Sequence, residues 1–200
     1  QCHVAGDFRI DPAGHMRFAL FVGPGTGSRR VGRIVQRLCE IETYRAMSML
    51  GFSRSRGLAP SIGGLDTHLS EMMMQMTGGQ MPAEQTLSQL LTISAELETM
   101  AARSAFRFGA TGAYEALVNQ RISLLREERY EGYQSFADFM LRRYEPAMRT
   151  VKSTEARLGI LADRARRAGE LLRTRVDVER SAQNQALLES MDRRADLALR

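Results

Sequence analysis

The chain has 200 residues, room for one domain with an appendage, and is 44% apolar and only 6% aromatic, without Trp. Its formal net charge is +5, yet Lys152 is the only lysine among 28 basic residues, so coding bias explains the charge as well as a nucleic-acid or membrane surface would. Cys2 and Cys39 exclude a disulfide framework and make a reducing, intracellular compartment the expectation, and no run is apolar enough for a signal peptide or a bilayer-crossing helix.

Only residues 1–25 read as sheet. Phe8-Arg-Ile10 and Met16 to Val22 flank Asp11-Pro-Ala-Gly-His15, a turn with Pro and Gly in useful places. A lone hairpin is marginal in water, so its partner strands are expected upstream of residue 1. Gly23-Pro-Gly-Thr-Gly27 leads into a first helix, with Ser28 as N-cap and Val31, Ile34, Val35, Leu38 and Ile41 on one face, ending near Leu50. A second helical pattern runs through Leu58, Ile62, Leu65, Leu69, Met72 and Met76, with Pro60 near its start and Thr77-Gly-Gly79 at its end.

After Pro82 a third helix carries Leu87, Leu90, Leu97, Ala101, Phe108, Val118, Ile122 and Leu125. Its centre at Phe108-Gly-Ala-Thr-Gly112 predicts a kink or a close helix contact. Glu131-Gly-Tyr133 forms the next turn, and Ser135, with Asp138 three residues on, caps a last helix to Arg200. At 1.5 Å per residue that helix would be about 100 Å long. Val151, Leu158, Ala165 and Leu172 hold one heptad position and Thr154, Leu161 and Ala168 the other, a coiled-coil pattern. Beyond Leu172 the phase slips to Val176, Gln183, Leu187 and Met191, as a stutter produces.

The expected fold is mainly α. It is an antiparallel helical hairpin or three-helix bundle with a very long C-terminal stalk helix and a short N-terminal β-hairpin, the remnant of an α+β domain. The expected divisions are 1–27 (hairpin and glycine-rich joint, the end of a truncated sheet domain), 28–134 (bundle) and 135–200 (stalk).

Chemistry is sparse. Gly25, Gly27, Ser28, Arg29 and Arg30 sit between a strand and a helix, where a phosphate would be cradled, but the run lacks the third glycine of a dinucleotide fingerprint and the Lys-Ser/Thr pair of a P-loop. A flexible joint is the favoured reading. His68 and Glu71 lie one turn apart, a spacing for a metal, but no second pair accompanies them, and a solvent-facing polar pair is favoured. Met72, Met73, Met74, Met76 and Met81 suggest core filling before a soft-metal site. No nucleophile elbow or paired carboxylates can be named, so the chain leans away from an enzyme and no cofactor is expected. The pairs Arg142-Arg143, Arg166-Arg167 and Arg193-Arg194 are interleaved with Asp163, Glu170, Glu189 and Asp192. That mixture argues against nucleic-acid binding. Basic residues at Arg193, Arg194 and Arg200 would suit the cytoplasmic flank of a membrane helix.

Three runs are distinctive. They are Gly32-Arg-Ile-Val-Gln-Arg-Leu-Cys-Glu-Ile-Glu-Thr-Tyr-Arg45, Tyr144-Glu-Pro-Ala-Met-Arg-Thr150, and Leu171 to Glu179 continuing through Gln183 to Arg194. Together they resemble a bacterial family of uncharacterised, predicted membrane-anchored proteins, a domain-of-unknown-function family. The resemblance implies a missing upstream portion, a hydrophobic segment just after Arg200, and a place on the cytoplasmic side of the bacterial inner membrane. It carries no catalytic residues. More loosely, the architecture is similar to the cytoplasmic part of CorA-type cation transporters, a likeness of fold only. The resulting expectation is a membrane-anchored scaffold or oligomerisation domain, self-associating through the long helix. A CorA-like stalk comes second and a phosphate-ligand-binding enzyme domain third.

Overall fold

Residues buried at seven-residue intervals run through the long helices. The computed structural model describes residues 2–78 and 82–198. In chain order the elements are β1 (Cys2–Gly6), β2 (Phe18–Val22), α1 (Ser28–Gly78), α2 (Ala83–Leu125), α3 (Phe136–Arg143) and α4 (Glu145–Ala198). The fold is mainly helical, with a two-stranded antiparallel sheet at its start. It divides into two compact units, one of residues 1–48 and 113–145, the other of residues 49–112 and 146–200.

In the first unit β1 pairs with β2 from Cys2↔Val22 to Gly6↔Phe18. The expected first strand at Phe8 to Ile10 is therefore corrected to Cys2–Gly6. Phe8 takes φ +52, which ends the strand. Its ring instead stacks on Phe139 of α3 at 3.8 Å and meets Phe18 edge-on at 5.7 Å. Aromatic packing thus holds the hairpin against α3, which a two-stranded sheet needs in water. The turn at Asp11 is as expected: its carboxylate accepts from the Ala13 and His15 amides and from Arg17, while Gly14 takes φ +86.

Ser135 caps α3 by accepting from the Asp138 amide. Both oxygens of Glu127 accept from the next free amides, those of Phe136 and Ala137, so an anion meets the positive end of the helix. The Ser135 hydrogen bond, followed by Arg129, holds the Asp138 carboxyl below its ordinary range. The single helix expected from Ser135 is interrupted at Tyr144, which caps α3 through its amide to the Met140 carbonyl. Pro146 is the second residue of α4, where its missing N–H costs nothing.

The expected break between Leu50 and Leu58 does not exist, because α1 runs unbroken to Gly78. Ile41, Ser48, Ser55, Ile62 and Leu69 are spaced by seven and are at most 1% exposed. Two of these positions are serines, so the apolar pattern fades where the structural period continues. Their hydroxyls donate back to the Arg45 and Phe52 carbonyls and leave no buried polar atom unpaired. Pro60 lies inside the helix, at an exposed position.

The second unit is a bundle built from the later part of α1, the earlier part of α2, and α4. In α2, Ala83, Leu90, Leu97, Ser104 and Thr111 are buried, again seven apart. The close contact expected near Gly109–Gly112 falls between Thr111 and Gly51, without a break in α2. In α4, Val151, Leu158, Ala165 and Leu172 are buried as the heptad pattern requires, with Leu161 and Ala168 beside them. Thr154 is half-buried. The expected end of the second helical pattern at Gly79 lies outside the described residues.

Two changes test this packing. At Gly51 a Cβ would overlap the Thr111 hydroxyl and lie 2.9 Å from the Thr111 Cβ. Gly51→Ala should therefore destabilise by about 1–3 kcal/mol despite the better helix propensity of Ala, and adding Thr111→Ala should recover part of the loss in urea denaturation. In the first unit the Tyr144 hydroxyl donates to Ser48 Oγ at 2.9 Å. Tyr144→Phe should cost about 1 kcal/mol. Burial raises the Tyr144 pKa above 10.0, although the Ser48 bond opposes this. Its contribution is thus complete below the unfolded value and is lost as pH rises towards the folded one. Denaturation at alkaline pH should show a steeper loss of stability for the wild type than for Tyr144→Phe.

Candidate functional site

The glycine joint is an open loop. The Thr26 amide donates to the Gly23 carbonyl, Gly25 takes φ +83, and the Gly27 carbonyl accepts from Arg30 and Val31. Gly27 therefore stands at the cap of α1, one residue before the expected Ser28. A Cβ at Gly25 or Gly27 would meet nothing within 4 Å. Ser28, Arg29 and Arg30 are exposed.

His68 and Glu71 are both exposed on α1. Among the described residues no group of three or more His, Cys, Asp or Glu side chains could hold a metal. The methionine run divides by helix face: Met72 is buried in the bundle, Met73 and Met76 are half-buried, and Met74 is exposed. Met81 lies outside the described residues. A shallow groove of about 600 Å³ opens between α1 and α2 beside Gly64 and Ala95, where side chains are small. Glu96 is the only ionisable group lining it.

Sequence reasoning missed two charged clusters that need a fold to assemble. In the second unit, Arg157 donates to Asp66 at 2.8 Å, while Arg164 reaches Asp66 at 3.4 Å and Ser70 at 3.2 Å. Asp66 thus ties α1 to α4. The arginines are seven apart, which is the signal that places both on one face.

The other cluster lies in the first unit, where Arg33, Gln36, Arg37 and Glu40 follow one another along α1 at helical spacing. Arg121 and Leu124 of α2 close the opposite side, leaving a cleft of about 210 Å³. Arg37 donates to the Leu124 carbonyl at 2.7 Å and so satisfies an acceptor in the last turn of α2. Glu40 accepts from Gln36 at 2.9 Å and, through its other oxygen, from Arg121. The Gln36 bond, then Arg121, lowers the Glu40 pKa, so the carboxylate is ionised and paired. Arg33 is exposed and, among the described residues, has no hydrogen-bond or ion-pair partner.

The third feature is the end of α4. Arg175 donates to the Met76 carbonyl and Arg180 to Glu84, among the described residues the last polar ties from α4 to the ends of α1 and α2. Among the described residues, Val176 is the last buried one. The helix then continues to Ala198, about 30 Å at 1.5 Å per residue. Leu187, Leu188 and Met191 are 60%, 62% and 57% exposed and share one face of this extension. Of the phase-shifted seam, Val176 is packed in the bundle, whereas Gln183, Leu187 and Met191 are exposed. The arginines here are largely paired along the helix, Arg166 with Asp163 and Glu170, Arg175 with Glu179, and Arg193 with Glu189. Arg200 lies outside the described residues.

A family model described as a protein of unknown function (DUF3422) matches residues 1–200. No curated protein and no solved structure matches the chain.

Proposed function

The chain belongs to the DUF3422 family of proteins of unknown function, and on that premise we propose that it is a non-enzymatic scaffold that assembles with copies of itself through the end of α4. The observation that carries this reading is the exposed apolar face of Leu187, Leu188 and Met191, on a helix that has outrun its bundle. Burying one such side chain contributes about 1.5–3 kcal/mol. Residues 177–195 carry four acidic and three basic side chains, so two copies would meet without strong repulsion. Gln183, Asn184 and Gln185 would supply the polar seam positions that set register.

In its membrane-anchored form the reading places a membrane segment beyond Arg200, with Arg193 and Arg194 on the cytoplasmic flank. Among the described residues no helix is long and apolar enough to cross a membrane. The anchor is therefore tested on the full-length protein, which should sediment with membranes and be released by detergent but not by salt; release by salt alone would sink this half of the reading.

Sedimentation velocity over a range of concentrations tests assembly. The wild type should form a concentration-dependent oligomer, and Leu187→Glu with Met191→Glu should weaken association by at least about tenfold while helix content is kept. A wild type that stays monomeric at the highest attainable concentration would overturn the proposal.

A further inference from the structure

The cleft of Arg33, Arg37, Glu40 and Arg121 has more cationic capacity than its own contacts consume. Three guanidinium groups face one carboxylate across about 210 Å³. Each guanidinium has five N–H donors in a planar fork. Arg37 is anchored by the Leu124 carbonyl and Arg121 by Glu40, so neither needs to be ordered by a ligand. Arg33 brings a full set of unused donors at the open side. Over residues 28–40 there are four arginines and a single acidic residue, Glu40. The first turn of α1 contains no acidic side chain and carries Arg29 and Arg30 instead. Cations there oppose the positive end of the helix dipole, an arrangement that costs energy until an anion joins it.

We propose that this cleft is a binding site for a small phosphate-bearing anion, held by Arg33 and Arg121 with Arg37 fixed behind them. Guanidinium groups match the paired oxygens of a phosphoryl group, and Gln36 adds a neutral amide at the wall. The volume is below the usual range of about 300–1,000 Å³ for pockets that take drug-sized ligands, which favours a phosphate or diphosphate group over a whole nucleotide. Arg29 and Arg30, one turn before Arg33, extend the cationic strip for a second phosphoryl group. Glu40 works as an internal counter-ion that orients Arg121, and it is already satisfied by two donors. The site lies wholly within the first unit and does not depend on assembly through α4.

Isothermal titration of the whole chain with inorganic phosphate and with pyrophosphate, at low ionic strength, tests the site. Saturable binding is expected, tighter for pyrophosphate and weakened by added salt. Arg33→Gln should weaken it about tenfold, the loss of one charge-assisted contact, whereas Arg166→Gln on α4 should leave it unchanged. Arg33 is exposed and, among the described residues, makes no side-chain hydrogen bond or ion pair, so circular dichroism of Arg33→Gln should match the wild type. If free pyrophosphate does not bind but vesicles bearing a phosphomonoester lipid do, in an Arg33-dependent way, the phosphate belongs to a lipid headgroup. No saturable binding to either at millimolar phosphate, or equal loss in Arg33→Gln and Arg166→Gln, would overturn the proposal.

Discussion

Burial at seven-residue intervals is the constraint on which the rest of the molecule depends. One series runs from Ile41 through Ser48, Ser55 and Ile62 to Leu69, a second from Ala83 to Thr111 and on to Val118, and a third from Val151 to Leu172. A helix that keeps one face buried over so many turns needs long partners, and this is why α1, α2 and α4 are each several times an ordinary helix length. The central positions of the first two series are small and polar: Ser48, Ser55, Ser104 and Thr111. Ser48, Ser55 and Thr111 donate their hydroxyls to carbonyls of their own helix, so burial costs little and the backbones can approach closely. Gly51 against Thr111 is the tightest expression of that approach.

Charge is organised around this packing and does not drive it. Ion pairs such as Arg180 with Glu84 and Arg166 with Glu170 are exposed, and pairs of that kind add little to stability. Their effect is on geometry. Asp66 gathers Arg157 and Arg164 from α4 onto α1, and Glu127 orders the start of α3. The cleft at Arg33 differs from these because its cations outnumber its anions. The end of α4 differs in the opposite sense, since it offers apolar surface with balanced charge around it. The proposed anion site rests on the first arrangement and the proposed self-association on the second, and neither proposal calls for a catalytic group.

Mainly helical character, the N-terminal hairpin, the cap at Ser135 and the α4 seam from Val151 to Leu172 were all determined by the sequence itself. Each rests on local chemistry: a turn with Pro and Gly, a hydroxyl before a helix, an aliphatic residue every seventh place. The continuity of α1 was decided by tertiary structure, because its seam passes through Ser48 and Ser55, which a hydrophobic pattern cannot register. The same holds for the first strand. Phe8 looks like a strand residue, but its ring is committed to Phe139, more than a hundred residues away, and its backbone turns accordingly. The glycine loop was legible as a weak candidate and is an open joint. The cationic cleft was not legible, because Arg121 reaches Glu40 only when the end of α2 lies beside the start of α1. Local patterns specify which face of a helix is buried. Which charged side chains then meet depends on how those faces are paired, and that is settled only by packing.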